Sequence, residues 1–559
     1  MSESPLLTSL DAVERRREAL HALTAASFDL LVVGGGITGA GVARDAAMRG
    51  LRVALVERED FASGTSSRSS RLVHGGIRYL EHGQLRMVFE SSRERRTLMR
   101  IAPHLVRPLA FTWPVYEGAR VSRWRLSAAM LLYDLLALFR NVGRHRRLGA
   151  RAVHESEPTL LQAGLRGGAR YWDAATDDAR LTLATVLSAR DAGATVVNHA
   201  AVTAVLREGG SVDGATVRDE LTGVVLQVRA RMVVNATGPW SDVLEQMADG
   251  RVHAGVRGSK GAHVCVARDR VENADALTLL HPRDGRVMFV LPSGDFSIIG
   301  TTDSYDSVSP DDVRATRADV EYLLDAANHF FPDAHLDHRD VISAWAGIRP
   351  LAVATGRPGP ADPGSASREH SIDEPVPGLV RITGGKLTTY RAMAEEVVDV
   401  VERALGRPVT KAGTANTALP GGDIADVDRE IQQAASACGD AEIGRRLVHA
   451  HGSAWREVWS LAEGDPALRQ RVEPSRPYLL AELRHAVGRE LACTLGDLLI
   501  RRTPVAFETR DHGVGAARRV APIVAAWLDW DKARTTRELA AFAAESARMF
   551  GETGTRTAP

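Results

Sequence analysis

The sequence contains few cysteines, and no two of them are close together in the chain. Its three cysteines, Cys265, Cys438 and Cys493, are far apart and form no Cys-x-x-Cys pair. This spacing argues against a disulfide framework and against a zinc site, so we expect no metal centre and a reducing compartment, the cytoplasm. The first 27 residues also lack the apolar stretch of a signal peptide, which predicts that the protein is not exported.

An excess of charge of one sign is also missing. Lys plus Arg and Asp plus Glu each total 70, so no net charge directs the protein to nucleic acid, and we expect no such partner.

No apolar run reaches the roughly 20 residues of a spanning helix. The best candidate, 126–139, is short and contains Asp134. Arginines flank it and Trp124 precedes it, as in a helix that lies at the surface of an anionic membrane. The alternative is a buried core helix with a basic rim. Peripheral contact of 124–139 with the inner face of the cell membrane therefore stays open.

A βαβ unit is predicted close to the N-terminus. An apolar run at 28–33 is followed by a glycine-rich segment at 34–39, a small-residue helix at 40–49 and a second apolar run at 52–57. This order of segments is typical of strand, helix and strand.

The glycine-rich segment reads GGGITG and carries the dinucleotide fingerprint. Gly34 permits the tight turn, Gly36 lets a pyrophosphate approach the backbone, and Gly39 lets helix and strand pack closely. The helix N-terminus presents free N–H groups to the phosphates, and Glu57 follows at the spacing of a ribose-binding acid. We therefore expect an adenine dinucleotide to bind here.

Two later segments extend the predicted dinucleotide-binding domain and favour FAD over NAD. Residues 230–238 form a strand that leads into Asn-Ala-Thr-Gly, a strand that two-domain FAD enzymes commonly carry. Residues 378–385 form a strand and turn, followed by Lys386 and a helix at 388–401.

The remaining segments predict a substrate domain and a helical domain. Alternating apolar residues predict an antiparallel sheet from the runs 195–206, 224–229, 262–266, 287–291 and 296–300. Apolar residues at a spacing of three to four predict helices at 443–449, 479–487 and 520–527.

We therefore predict an α/β fold. A Rossmann-like FAD-binding domain is interleaved with an α+β antiparallel-sheet substrate domain over 28–409, and a helical C-terminal domain covers 410–550. The FAD-binding parts are expected at about 28–110, 170–260 and 340–409.

One long motif is the most specific feature of the sequence. Residues 64–82 read GTSSRSSRLVHGGIRYLEH, which closely resembles the segment after the dinucleotide fold in FAD-dependent glycerol-3-phosphate dehydrogenases of the respiratory, quinone-linked type. Further matching blocks follow in the expected order, namely TDDARL at 176–181, NATGPW at 235–240, KGAHV at 260–264, FSIIGTTD at 296–303, AGIRPL at 346–351 and GGKLTTYR at 384–391. The resemblance covers most of 29–391.

The resemblance implies oxidation of glycerol 3-phosphate to dihydroxyacetone phosphate, by hydride transfer to flavin N5, with electrons passed to a membrane quinone. Arg78 and Arg349 would clamp the phosphate, because a guanidinium suits phosphate oxygens. Lys386 would supply a positive charge and Tyr79 a hydrogen bond. His263 would accept the hydroxyl proton, with His74 as the second candidate base.

The cofactor would contact the first turn, the serine-rich loop and two later turns. The implied residues are Gly34, Gly36, Ile37, Thr38, Gly39, Glu57, Thr65, Ser66, Ser67, Ser69, Ser70, His74, Gly75, Gly76, Ala236, Thr237, Gly238, Arg349, Gly384, Gly385, Lys386, Leu387 and Thr388.

Departures and alternatives remain. Ala262 stands where the family has Ser, and Trp345 stands where Tyr is more usual. A glycerol-3-phosphate oxidase, which makes hydrogen peroxide from oxygen, shares these motifs, and only the basic apolar stretch favours the dehydrogenase. An amino-acid oxidase of related fold and a non-enzymatic flavin-containing interaction protein are more distant alternatives. The sequence also leaves a homodimer open.

Overall fold

The structure of the protein is a computed structural model that describes residues 9–76, 84–136, 143–251, 253, 255–305, 309–352 and 369–551. Two predicted substrate-binding residues, Arg78 and Tyr79, lie outside the described residues, as does the end of the apolar stretch at 137–139.

The helices and strands are labelled in chain order. The helices are α1 (Ser9–Ala25), α2 (Ile37–Met48), α3 (Leu85–Ile101), α4 (Arg123–Leu136), α5 (Ala150–Ser156), α6 (Asp178–Asp191), α7 (Ser241–Asp249), α8 (Arg317–Phe330), α9 (Tyr390–Ala404), α10 (Val427–Cys438), α11 (Ala441–His451), α12 (Trp455–Gly464), α13 (Leu480–Arg489), α14 (Val505–Glu508), α15 (Val514–Leu528) and α16 (Lys532–Phe550). The strands are β1 (Phe28–Val33), β2 (Val53–Val56), β3 (Leu72–Val73), β4 (Val106–Tyr116), β5 (Arg146–Leu148), β6 (Leu165–Thr176), β7 (Thr195–Val197), β8 (Ala200–Glu208), β9 (Ser211–Asp219), β10 (Val225–Asn235), β11 (Val256–Ala267), β12 (Ala276–Leu280), β13 (Val287–Ser293), β14 (Phe296–Gly300), β15 (Ser304–Tyr305), β16 (Val341–Ala352), β17 (His370–Val376) and β18 (Leu379–Gly384).

The first sheet is the predicted dinucleotide-binding sheet. Its strand order is β17-β18-β10-β1-β2-β7, and β1 runs parallel to both β2 and β10. Strand β1 is buried along its whole length, as expected for a continuous apolar run in a parallel sheet covered on both faces. Helix α2 connects β1 to β2, so the predicted βαβ unit is confirmed.

The second sheet is mostly antiparallel and carries the later motifs. Its order is β15-β11-β14-β13-β12-β4-β6-β3, with β16 beside β11 and β5 beside β6. The predicted runs 262–266, 287–291 and 296–300 lie in this sheet, in β11, β13 and β14.

Two other runs that we predicted for this sheet belong to the first one. The run 195–206 is divided between β7, which is parallel to β2, and β8, which forms a hairpin with β9. The run 224–229 is the beginning of β10, where β9 pairs with it. This prediction was wrong because alternation of apolar residues identifies a strand but not its partner.

A helical region follows α9, as predicted. The runs 443–449, 479–487 and 520–527 lie in α11, α13 and α15, and their apolar faces share one core. This core also contains Trp345 of β16, so the helical region packs against the second sheet. No described helix is long and apolar enough to cross a membrane.

Candidate active site

A cavity of about 900 Å³ is lined by residues from both sheets. The carboxyl ends of the parallel strands contribute Val33, Glu57 and Ala236, and Gly384 follows at the end of β18. In open α/β sheets this edge is where ligands bind. The volume is within the range of small-molecule and cofactor sites, roughly 300–1,000 Å³.

The turn between β1 and α2 needs its glycines. Gly34 has φ +107°, and a Cβ there would lie 2.7 Å from the carbonyl oxygen of Ala236. A Cβ at Gly39 would lie 1.9 Å from the carbonyl oxygen of Gly34, so only glycine allows this approach of helix to turn. The N-cap of α2, Gly36, has no side chain to cover the helix N–H groups, which border the cavity.

The carboxylate of Glu57 lies at the end of β2, on the wall of the cavity. It accepts hydrogen bonds from the N–H of Gly35, at 2.6 Å, and of Glu59, at 3.0 Å. Burial raises the pKa of Glu57, although these two amides act in the opposite direction. Its position beside the first turn matches that of an acid that holds ribose hydroxyls.

The hydroxyl groups of the serine-rich loop have partners within the protein. Ser66 Oγ accepts the N–H of Ile37 at 3.0 Å, and Thr65 Oγ1 donates to the carbonyl of Ile348 at 2.7 Å. Ser69 Oγ donates to Asp178 Oδ2 at 2.6 Å. The loop is thus held in place along the cavity.

The segment after β3 is joined to the start of α9. Thr388 Oγ1 exchanges hydrogen bonds of 3.2 Å with the backbone N–H and carbonyl of His74. The N–H of Gly75 donates to Asp173 Oδ1 at 2.8 Å, and a Cβ there would lie 2.1 Å from the hydroxyl oxygen of Tyr133. Thr388 and Gly75 are therefore buried beside the cavity, whereas His74 lines it.

The imidazole of His263 lies between two neighbouring strands. In the register of the sheet, His263 on β11 is opposite Gly300 on β14 and Trp345 on β16. Its ring stacks on that of Trp345, with centroids 5.4 Å apart and planes inclined by 15°. Nε2 is 2.8 Å from Ser70 Oγ, and Nδ1 has no hydrogen-bond partner among the described residues.

The surroundings keep this imidazole neutral. Burial, and then the positive charges of Arg349 and Arg71, lower the pKa of His263 to about 3. A Cβ at Gly300 would lie 2.2 Å from Cδ2 of His263, so the ring occupies space that any other residue at 300 would fill. A neutral imidazole at neutral pH can accept a proton.

Arg349 borders the same cavity from β16. Its guanidinium lies 3.2 Å from Asp303 Oδ1 and 3.2 Å from Thr301 Oγ1. A Cβ at Gly261 would lie 2.5 Å from Nη2 of Arg349, so the glycine makes room for this side chain. The side chain remains 24% exposed, so part of it borders the open volume of the cavity.

Lys386 stands between β18 and the turn of 3₁₀-helix Leu387–Thr389 that precedes α9. The preceding Gly385 has φ +85°, and a Cβ there would lie 2.3 Å from Cε of Met393. The ammonium nitrogen of Lys386 is buried, and the residue lines the cavity. The turn therefore places a second cation on the wall that Arg349 also forms.

Most of the described residues predicted for the site share the cavity wall. Those that line it are Gly34, Gly36, Ile37, Thr38, Glu57, Thr65, Ser66, Ser69, Ser70, His74, Gly76, Ala236, Thr237, Gly238, His263, Arg349, Gly384, Gly385, Lys386 and Leu387. Gly39, Ser67, Gly75 and Thr388 lie behind it.

Sequence reasoning missed residues that shape the site. Gly261 and Gly300 give room to Arg349 and His263, and they lie inside the quoted blocks KGAHV and FSIIGTTD. Asp178 also lines the cavity, and burial raises its pKa to about 6. The blocks contained the signal, but only the strand register shows which glycine faces which side chain.

Family comparisons agree with this geometry. Residues 29–400 match the model of the FAD dependent oxidoreductase family, and residues 412–535 match that of the C-terminal domain of alpha-glycerophosphate oxidase. The cavity also fits an extended dinucleotide, because it joins the N-terminus of α2, the carboxylate of Glu57 and the Gly384–Leu387 turn in one volume.

Named relatives are similar along nearly the whole chain. Glycerol-3-phosphate dehydrogenase 2 of Mycobacterium tuberculosis is 39% identical, over 95% of this chain and 90% of the relative. Aerobic glycerol-3-phosphate dehydrogenase of Staphylococcus saprophyticus is 34% identical, over 94% and 96% of the two chains.

Solved structures show the same fold. Glycerol-3-phosphate dehydrogenase from Bacillus halodurans, complexed with FAD, superposes with a TM-score of 0.79 at 32% identity and covers 97% of this chain and 98% of its own. L-alpha-glycerophosphate oxidase from Mycoplasma pneumoniae has a TM-score of 0.54 at 20% identity, which shows the fold alone, over 71% and 99% of the two chains. The chain belongs to the family of FAD-dependent glycerol-3-phosphate dehydrogenases and oxidases.

Proposed function

We propose that this protein oxidises sn-glycerol 3-phosphate to dihydroxyacetone phosphate and passes the electrons to a membrane quinone. One observation carries the proposal. Two cations, Arg349 and Lys386, and the neutral imidazole of His263 line one cavity with the dinucleotide turn. An anionic alcohol needs cations for its phosphate and a base for its hydroxyl proton.

FAD supplies a hydride acceptor when it is bound, at N5 of its isoalloxazine ring. We propose that the N-terminus of α2 and the carboxylate of Glu57 hold its ADP part, and that the serine-rich loop and the Gly384–Leu387 turn hold the ring. We further propose that the chain divides as the sequence predicted, into interleaved FAD-binding and substrate domains over 28–409 and a helical domain over 410–550.

Arg349 is proposed to bind the substrate phosphate. A guanidinium offers paired donors that match two phosphate oxygens, and Thr301 and Asp303 fix its orientation from one side. Lys386 adds a point charge that also favours negative charge on the cofactor. Arg78 and Tyr79 keep their proposed roles from the sequence.

His263 is proposed to accept the proton of the substrate hydroxyl while hydride leaves the carbon that bears this hydroxyl. In the ligand-free protein its pKa is held low by burial and by Arg349 and Arg71. A phosphate dianion bound at Arg349 offsets one of these charges and raises the pKa of the imidazole, so proton uptake becomes more favourable as substrate binds. His74 remains the second candidate base.

The exposed face of helix α4 supports the proposal that the electron acceptor is in the membrane. Its outward residues Trp124, Leu131 and Leu135 are 73%, 55% and 53% exposed and recur at helical spacing on one face. Asp134 faces inward, where His145 donates to it at 2.7 Å, so the acid does not interrupt the apolar face. The guanidinium of Arg147 lies over Trp124, 4.3 Å from the ring centroid.

The position of α4 relative to the cavity also suits electron transfer to a quinone in the membrane. Arg120, three residues before the helix, lines the cavity, so the helix begins beside its wall. We propose that the apolar face enters the headgroup region while the arginines bind anionic lipid, on the inner face of the cell membrane. Quinone in that bilayer would then be close to the cavity.

An anaerobic flavin titration tests the proposal. Addition of glycerol 3-phosphate without oxygen is expected to bleach the oxidised flavin band, whereas glycerol is expected to leave it nearly unchanged. The reduced protein is then mixed either with vesicles that contain a quinone or with oxygen. Fast reoxidation by quinone supports the dehydrogenase, and stoichiometric hydrogen peroxide at the rate of substrate oxidation supports the oxidase. A band that persists with substrate excludes both activities.

A further inference from the structure

The aromatic stack behind His263 extends into the C-terminal helical region. The ring of Phe507, on α14, lies 5.2 Å from that of Trp345 at an interplanar angle of 86°. Trp345 in turn stacks on His263, and Phe550 of α16 packs on the far side of Phe507, at 4.9 Å. A continuous row of rings therefore joins α16 to the imidazole.

Helix α14 is fixed to the strand that carries Trp345. Ser343 Oγ donates to the carbonyl of Phe507 at 2.6 Å, and Ser343 is two residues before Trp345 on β16. Side chains two residues apart on a strand point to the same face, so this bond and the ring contact lie on one face of the sheet. Trp345 is only 1% exposed, which leaves its ring little freedom.

Arg71 gives Phe507 a second connection to the imidazole. The guanidinium carbon of Arg71 lies 4.7 Å from the ring centroid of Phe507 and 5.6 Å from that of Trp345. Arg71 directly follows Ser70, whose Oγ is 2.8 Å from Nε2 of His263. The backbone of Arg71 lies in the left-handed region, with φ +54°.

We propose that Phe507 and Trp345 are positioning residues for the imidazole of His263, and that one role of the C-terminal helical region is to hold this imidazole in place for proton transfer. This inference rests on the proposed function, in which His263 accepts the substrate proton. Neither ring lines the cavity, so both act through His263 and through the Ser70–Arg71 segment.

The stack also contacts one of the charged side chains that act on the imidazole, Arg71. Among the described residues, the charged groups that lower its pKa are Arg349, on β16, and Arg71. Glu508, next to Phe507, is bonded to the hydroxyl of Tyr478 at 2.6 Å. If the ring of Phe507 is removed, the guanidinium of Arg71 loses one of the two aromatic contacts that it makes among the described residues, and its charge can move away from His263.

The test is the pH dependence of Phe507→Leu in the holoenzyme. The acidic limb of the kcat/KM profile for glycerol 3-phosphate is expected to move to higher pH by roughly one unit. We also expect kcat at the plateau to fall roughly tenfold, because the base is less well oriented. Phe542→Leu is the matched control, since Phe542 is buried in the same helical core and makes no ring contact with Trp345 or Phe507 among the described residues.

A second readout does not depend on turnover. Histidine labelled with ¹⁵N reports the imidazole titration, and the His263 signal is identified by its loss in His263→Gln. The signal of the wild-type protein is expected to stay that of neutral imidazole down to pH 5, while Phe507→Leu protonates at higher pH. Trp345→Phe keeps an aromatic ring and is expected to retain more of the wild-type profile than Trp345→Leu.

The outcomes separate this inference from the proposed function. If Phe507→Leu and Phe542→Leu have the same pH profile and the same His263 titration as wild type, the positioning role is wrong while the activity stands. If His263→Gln keeps the wild-type rate and profile, then His263 is not the base, and the positioning role fails together with that assignment. If Phe507→Leu alone shifts both readouts, the inference is supported.

Discussion

Single glycines leave room for two side chains of the cavity wall. The Gly300 and Gly261 positions leave space that is occupied by the imidazole of His263 and the guanidinium of Arg349. Because each glycine lies on a strand next to the side chain that it accommodates, the site depends on residues that carry no functional group.

Gly300→Ala is expected to displace the imidazole of His263, since its Cβ would lie 2.2 Å from Cδ2. A base moved by about 1 Å can cost roughly 100-fold in rate, so we expect the rate constant of anaerobic flavin reduction to fall by roughly that factor while flavin content stays normal. Gly149→Ala is the control, because a Cβ there meets no atom within 4 Å. An unchanged rate constant in Gly300→Ala would count against His263 as the base.

Arg349→Lys is expected to lower kcat/KM for glycerol 3-phosphate by roughly 100-fold, because an ammonium cannot make the paired contacts of a guanidinium with phosphate. The loss should be specific to the phosphate, so the low activity with glycerol should change far less. Steady-state kinetics with both substrates measures this difference. Arg151→Lys, whose side chain is 92% exposed on α5, serves as control. Equal losses with the two substrates would show that Arg349 does not bind the phosphate.

At the scale of elements, α4 combines two apolar faces. Its inner face packs Leu126, Met130 and Tyr133 into the core, while Trp124, Leu131 and Leu135 face outward. Helices at the surface of soluble proteins usually have a polar outer face, and the outer face of α4 departs from this pattern.

The combined substitution Trp124→Ala, Leu131→Gln and Leu135→Gln is expected to abolish flotation with vesicles of anionic lipid and to leave the anaerobic reduction of the flavin unchanged. The physical reason is the loss of apolar area that would enter the headgroup region, together with the arginine–Trp124 contact. Val224→Gln with Val225→Gln is the matched control, because these exposed apolar residues lie at the β9–β10 turn. Flotation that survives in the α4 variant would exclude this helix as the membrane contact.

At the scale of the whole molecule, buried ion pairs join the helical region to the dinucleotide-binding sheet. Asp60, shortly after Glu57, is fully buried and accepts from Arg501 Nε at 2.7 Å and from Arg502 Nη1 at 2.5 Å. Both arginines belong to the π-helical segment Asp497–Arg502. The loop next to Glu57 is thereby held by the C-terminal region.

Asp60→Asn is expected to lower the free energy of unfolding by about 3–5 kcal/mol, because the buried guanidinium of Arg502 loses the carboxylate with which it pairs, although Arg501 retains Asp497 and Glu545. Flavin release should become faster as well, since the loop that carries Glu57 loses its support. Urea denaturation and flavin fluorescence measure the two effects. Asp337→Asn, in an exposed pair with Arg339, should stay within about 0.5 kcal/mol of wild type. If the two variants were equally stable, Arg501 and Arg502 would not stabilise the loop that contains Asp60.

Stability should fall in mild acid because buried histidines resist protonation. Burial lowers the pKa of His104 to about 3, and that of His449 to about 2, from the ordinary 6.5. Below pH 6.5 the unfolded chain binds protons that the folded chain does not, so the free energy of unfolding decreases as pH falls from 6.5 towards 3 and is constant above 6.5 for these groups.

Lowering the pH to 5.5 reduces the free energy of unfolding, and His104→Gln is expected to make this reduction smaller by about 1.4 kcal/mol. The value follows because pH 5.5 is one unit below the ordinary pKa of histidine. Urea denaturation midpoints at pH 8 and pH 5.5 measure the difference. His21→Gln, at an exposed position on α1, is the matched control. If the free energy of unfolding of His104→Gln depended on pH as that of wild type does, the lowered pKa of His104 would be contradicted.

The sequence by itself determined the elements and the local chemistry. The apolar run of β1, the glycines of the first turn and the helical spacing of α11, α13 and α15 depend on neighbours in the chain, and each was predicted from those neighbours. The motif blocks likewise pointed to residues that line one cavity, including His263, Arg349 and Lys386.

The tertiary structure decided which distant segments meet. Runs 195–206 and 224–229 entered the first sheet because β2 and β9 are their partners, a pairing that alternation of apolar residues does not encode. Similarly, Phe507 reaches His263 through Trp345 only because α14 packs on β16. Contacts between residues far apart in the chain depend on the packing of whole elements, so only the folded structure could show how the helical region supports the site.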